Sequence, residues 1–176
     1  MQAGSHDRGD LHKIAGMKRI LGLDYGLRRV GIAVCDPDRR VASPVEVYQR
    51  RNDRLDATYF RSLVEEFNID RLLVGLPLRG HGAEGDSAEQ ARRWGRWLSE
   101  QTRIPVSFVD ERYTTVEAEE LLRSSGVKAS RRRSLRDMIA AQLLLQAFLD
   151  AGCPETDSPP TPLDDPAFDP EEDDDS

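Results

Sequence analysis

A chain of 176 residues has room for one core, and at that size roughly 70% of the unfolded surface can be buried without a disulfide or a structural metal. Its 2 cysteines, Cys35 and Cys153, fit neither a zinc spacing nor a secreted disulfide framework, and no apolar run is long enough to span a bilayer. The expectation is a cytoplasmic protein with reduced thiols. The net charge of −7 is unevenly placed: residues 154–176 hold 10 acids, 6 prolines and no Lys or Arg, leaving 25 basic against 22 acidic residues in 1–153, a net +3.

Such an acidic, proline-rich tail cannot bury enough apolar surface to offset its ordering entropy, so residues 153–176 are expected to be disordered. The first sixteen residues lack periodicity and are set aside as a flexible extension. A basic domain over 17–152 remains, suited to a polyanionic partner.

Read in chain order, Lys18–Asp24 is a short apolar strand ending in Asp-Tyr-Gly. Arg29–Cys35 alternates with period two, and Pro44–Tyr48 carries Val45 and Val47 at strand spacing, so the three segments predict an antiparallel meander. Pro44 is expected at a strand start, where its missing N–H does little harm. A helix is predicted over Asp53–Phe67 with Leu55, Tyr59, Phe60, Leu63, Val64 and Phe67 on its apolar stripe. Arg71–Leu76 reads as a buried strand, and Ser87 with Gln90 as the capping box of a helix whose apolar face carries Ala91, Trp94 and Leu98. Pro105–Asp110 is a further buried strand, Thr114 and Glu117 cap a short helix ending near Ser124, and Ser134–Ala151 is a helix apolar enough to be enclosed. This order predicts an α/β fold with a five-stranded mixed sheet, the meander joined by two parallel strands and flanked by helices.

Three acids lie at element boundaries: Asp24 at the end of the first strand, Glu111 just after the last, and Asp137 in the first turn of the last helix. On one rim of an open sheet such carboxylates can meet. With no His or Cys among them they select oxygen-loving ions, Mg²⁺ or Mn²⁺, a chemistry suited to phosphodiester hydrolysis. Each acid also has an ordinary reading. Asp24 can accept N–H bonds in its turn, Glu111 can pair with Arg112, and Asp137 can cap a helix begun by Ser134. Alternation along the strand allows only one of Asp110 and Glu111 to face inward. Beside Asp137 stand Lys128, Arg131, Arg132, Arg133 and Arg136, in a predicted loop and first helical turn; cations beside an acidic site fit a phosphate backbone. The stretch Gly75–Gly82 lacks the Gly-Lys-Ser/Thr ending of a nucleotide P-loop and reads as a strand-to-helix loop at the rim, with Arg79 and His81 on it.

The motifs Asp24-Tyr25-Gly26-Leu27-Arg28-Arg29-Val30-Gly31, Val74-Gly75-Leu76-Pro77-Leu78, Asp110-Glu111-Arg112-Tyr113-Thr114-Thr115 and Asp137-Met138-Ile139-Ala140-Ala141 resemble, in order, those of the YqgF family, also called RuvX. The resemblance runs from about Met17 to Gly152. It implies a ribonuclease H-like fold and a metal-dependent cytoplasmic nuclease, related to Holliday-junction resolvases and described as maturing the 5′ end of pre-16S ribosomal RNA. By motif position it implies Asp24, Glu111 and Asp137 as catalytic, metal-holding carboxylates, and Arg29 and Arg112 as phosphate contacts. Resolvases carry an acid at the end of the fourth strand, where this chain has Gly75-Leu76-Pro77, so the fifth strand is expected to supply it. The partner is expected to be nucleic acid, structured RNA first and branched DNA second, met by a monomer or a homodimer. A non-catalytic RNA-binding assembly factor is the remaining alternative.

Overall fold

The computed structural model describes residues 17–77, 85–111, 120, 124 and 129–154, with side chains in the last helix from 135 onward. Strands β1 (Arg19–Tyr25), β2 (Arg29–Cys35) and β3 (Ala42–Gln49) form the meander, followed by α1 (Asp53–Glu66), β4 (Ile69–Leu76), α2 (Asp86–Thr102), β5 (Val106–Asp110) and α3 (Ala129–Asp150). The predicted Thr114–Ser124 helix lies outside the described residues except Glu120 and Ser124, which are helical. No helix of the described residues is long and apolar enough to cross a membrane. Cys35 and Cys153 are free thiols.

The strand order is β3-β2-β1-β4-β5, as the sequence predicts. β1 pairs antiparallel with β2 and parallel with β4, and β5 joins β4 in parallel. Side-chain alternation splits the core across the sheet. Leu21, Leu23, Val30, Ile32, Leu72, Val74 and Phe108 pack with Phe60 and Leu63 of α1 and Ala91, Trp94 and Leu98 of α2. On the opposite face Ile20, Ala33 and Leu73 meet Ala141, Leu144, Leu145 and Phe148 of α3.

Four local expectations are corrected. Pro44 sits inside β3, at the irregularity where the pairing jumps from Ile32↔Glu46 to Ala33↔Pro44; β3 is an edge strand, which tolerates the lost donor. The helix cap of α2 is Gly85, and no side chain caps it, so the Ser87–Gln90 box does not form. On α1 the buried face is Asp56, Ala57, Phe60 and Leu63, whereas Leu55 is 37% exposed. Finally, α3 begins at Ala129, not Ser134, because Ser-Arg-Arg-Arg-Ser contains no helix breaker to stop it.

Asp56 is the unexpected core residue, only 1% exposed. Its carboxylate accepts from Tyr48 Oη at 2.9 Å and Arg51 N at 3.0 Å, and pairs with Arg50 Nε at 3.4 Å. Asp56→Ala strands a buried hydroxyl and a guanidinium, so urea unfolding should show a loss of about 2 kcal/mol, with Asp56→Asn losing less.

Candidate nuclease site

Asp24 and Glu111 reach one another by different routes. Asp24 is next to last in β1, on the face that Gly22 and Ile20 share, and it pairs with Gly31 of β2. Glu111 follows β5, but its N–H still donates to Leu76 O at 3.1 Å, so the ladder runs one residue past the strand. Alternation then turns Asp110 to the other face, where it is exposed, and turns Glu111 toward Asp24. That decides between the two acids.

Gly75 makes the meeting possible. It lies on β4 between the two acids, and a Cβ there would stand 3.3 Å from both Cβ and Cδ of Glu111, with Oε2 nearer still. The side chain of the outer strand therefore folds across the bare backbone and occupies the space a β4 side chain would take. Gly75→Ala should push Glu111 off Asp24 and slow cleavage roughly tenfold to a hundredfold, as expected for a misplaced active group. The melting temperature should barely move, because the displaced atom is the end of a flexible side chain. Single-turnover rates beside a thermal melt would check this.

The two acids are hydrogen-bonded to each other. Burial first, and then the Glu111 carboxyl and the nearby Asp137, push Asp24 well above the usual carboxylate range. Burial also pushes Glu111 up.

Asp137 is brought in by α3, whose backbone lies against Gly31 of β2. Since α3 starts at Ala129, Asp137 stands more than two turns inside the helix, and the capping role for it is excluded. Its carboxylate pairs with Arg29 Nη2 at 2.9 Å and with Arg136 Nη2 at 3.5 Å. Among the described residues no three acidic, His or Cys side chains are arranged so that they could hold a metal ion between them. An open cavity of about 630 Å³ is lined by Asp24, Arg29, Arg136 and Asp137 together with the β1–β2 hairpin.

Of the predicted phosphate contacts, Arg29 is at the site, bound to Asp137. Arg131, Arg132 and Arg133 lie in the opening turns of α3, not in a loop. Arg112, Lys128, Arg79 and His81 fall outside the described residues. The sequence reading missed Gly75, although a glycine inside an otherwise buried apolar strand marks a close approach. It missed Asp56 too, whose signal was a charge spaced four residues before Phe60 on the buried face of α1.

A mixed five-stranded sheet of this order with helices on both faces is a ribonuclease H-like fold. The fold matches that of RuvC from T. thermophilus, solved with a Holliday junction substrate, with a TM-score of 0.52 at 15% identity over 79% of this chain and 98% of that one. The chain belongs to the RuvX family, described as Holliday junction resolvase, which matches residues 18–151; it is a family of hydrolases acting on ester bonds. Relatives provisionally named pre-16S rRNA nucleases include those of Koribacter versatilis, 43% identical over 75% of this chain and 86% of the relative. That of Syntrophus aciditrophicus is also 43% identical, over 76% of this chain and 89% of the relative.

Proposed function

We propose that residues 17–152 form a divalent-metal-dependent nuclease acting in the cytoplasm on structured RNA, the 5′ extension of pre-16S rRNA, with Asp24, Glu111 and Asp137 as its catalytic carboxylates. The observation that carries this reading is the hydrogen-bonded pair Asp24–Glu111 beside Asp137. Two buried acids whose carboxyls are both pushed upward are disfavoured as anions until a cation joins them, and an all-oxygen donor set fits Mg²⁺ or Mn²⁺. Asp24 and Glu111 would hold the ion, with Asp137 turning from its arginine partners to join them, and the ion when bound would supply charge neutralisation at the phosphate and a more acidic water.

The rest of the chemistry belongs to the chain. Asp24 stands on the cavity wall and Glu111 is bonded to it across Gly75, so the two carboxyls place oxygen acceptors at this rim. Arg29 and Arg136 orient Asp137 and bring two guanidinium groups to the cavity wall, where a phosphate oxygen can be held. The opening turns of α3 contain Arg131, Arg132, Arg133 and Arg136, with no acid in the first turn. That arrangement opposes the helix dipole and is offset when a polyanion lies along it.

The family's own description favours a second substrate, a four-way DNA junction. A 5′-extended pre-16S fragment and a four-way junction, each given Mn²⁺ or a chelator, separate the two. Metal-dependent scission of the RNA is the expected result. Scission of the junction alone would transfer the reading to a resolvase, and intact substrates in every lane would overturn both in favour of a binding role.

A further inference from the structure

The β1–β2 hairpin carries an apolar side chain that the carboxylates do not use. Leu27 is 68% exposed, the highest value among the exposed large apolar side chains of the described residues, and it lines the same cavity as Asp24, Arg28, Arg29 and Gln49. A single exposed leucine is ordinary on a protein surface. This one differs in its position at the cavity and in how its backbone is held. Arg50 N donates to Arg28 O at 2.9 Å, and Arg50 Nη1 reaches Leu27 O at 3.5 Å and Tyr25 Oη at 3.3 Å. That guanidinium is anchored on buried Asp56 and lies over the rings of Tyr25 and Trp94, 5.4 and 5.9 Å from their centroids. The hairpin tip is thus tied to the core, so little ordering entropy is lost when a ligand covers it.

The cavity wall alternates charge and apolar surface: Arg28 and Arg29 beside Leu27, with the Gln49 amide opposite Arg29 in the β2–β3 pairing. A nucleotide presents the same alternation, a phosphate next to a flat apolar ring with a polar edge. About 630 Å³ is ample for one such unit. We infer that Leu27 is a nucleobase subsite: it packs on the face of the base beside the scissile phosphate, with Gln49 at that base's edge, and holds the nucleotide out of its stack. Apolar wedges act this way on nucleic acids, and the unstacking they impose is least costly where the nucleotide is unpaired. The inference rests on the nuclease reading and adds a substrate class, a strand whose nucleotide at the cut is free of continuous duplex.

The test uses the full chain and a 5′-extended pre-16S fragment carrying 2-aminopurine at the junction between the 5′ extension and the mature sequence, with a matched RNA that is abasic there. Wild type should raise the 2-aminopurine fluorescence on binding. Leu27→Ala should abolish that rise and increase KM about tenfold with kcat less affected, as for loss of one base contact, while Leu27→Phe should retain both. On the abasic RNA, wild type and Leu27→Ala should converge. Wild-type fluorescence and KM in Leu27→Ala, or a difference that persists on the abasic RNA, would overturn the subsite. Absence of cleavage by wild type would overturn the nuclease reading instead, and the fluorescence, which needs only binding, would still decide the role of Leu27.

Discussion

Asp24→Asn is expected to yield a folded protein that melts higher than wild type at neutral pH, yet cleaves on the order of a thousandfold more slowly or less. Burial, then Glu111, holds the Asp24 carboxyl well above its ordinary value, and burial also raises Glu111. In the pH range above the unfolded value and below the raised native one, the native chain keeps a proton that the unfolded chain has released. The native state then binds more protons, so stability falls as pH rises through that range and is highest below the unfolded carboxylate value. Asparagine retains an amide to bond Glu111 and has no proton to lose, so the fall is reduced. Melts taken from about pH 4 to about pH 8 should diverge progressively, reaching roughly 3–6 °C in favour of the variant at the upper end. Added Mg²⁺ should raise the wild-type melting temperature and leave that of the variant nearly unchanged. A variant less stable than wild type at neutral pH would show that the pair is not strained as an anion.

Gly31→Ala should be the most damaging alanine substitution among the described glycines. A Cβ at Gly31 would overlap the backbone carbonyl of Asp137 in α3 and come within 3.2 Å of Met138 N. Backbone cannot yield as a side-chain tip does, so α3 must lift from β2. With it move Ala141, Leu144, Leu145 and Phe148, the packing of one whole face of the sheet. The expected cost is about 3 kcal/mol or more, a fall of roughly 6–12 °C in melting temperature. Cleavage should fall as well, because the same shift carries Asp137 away from Asp24. Gly75→Ala provides the contrast, since it should cost activity with little stability. A Gly31→Ala protein that melted like wild type would mean that α3 does not rest on β2 at this point.

The strands and their order were legible because alternation in Arg29–Cys35 and the apolar runs at Lys18–Asp24 and Arg71–Leu76 leave few other topologies. What failed was local chemistry with two valid readings. Ser134 followed by Asp137 has the spacing of a helix start, but the preceding arginines continue the helix equally well, and nothing local marks Ala129 as its first residue. Ser87 and Gln90 have the spacing of a capping box, and Gly85 took the cap position without a side chain. Which of Asp110 and Glu111 faces Asp24 depended on one backbone bond, Glu111 N to Leu76 O, that extends the parity of β5 by a residue. The three acids were legible as boundary residues; their meeting was not, because it depends on the missing side chain at Gly75. Likewise the sequence contained Leu27 and Arg50 without showing that one supports the other across 23 positions.

The central claim is that Asp24, Glu111 and Asp137 act together with a divalent ion on a phosphodiester. The most direct test incubates a 5′-extended pre-16S fragment with Mn²⁺ and wild type, Asp24→Asn, Glu111→Gln or Asp137→Asn, and maps the 5′ ends produced. Wild type should generate one discrete new 5′ end, lost in a chelator, and each of the three variants should generate none while remaining folded. Wild-type cleavage by any one of them would contradict the account and remove that carboxylate from the site.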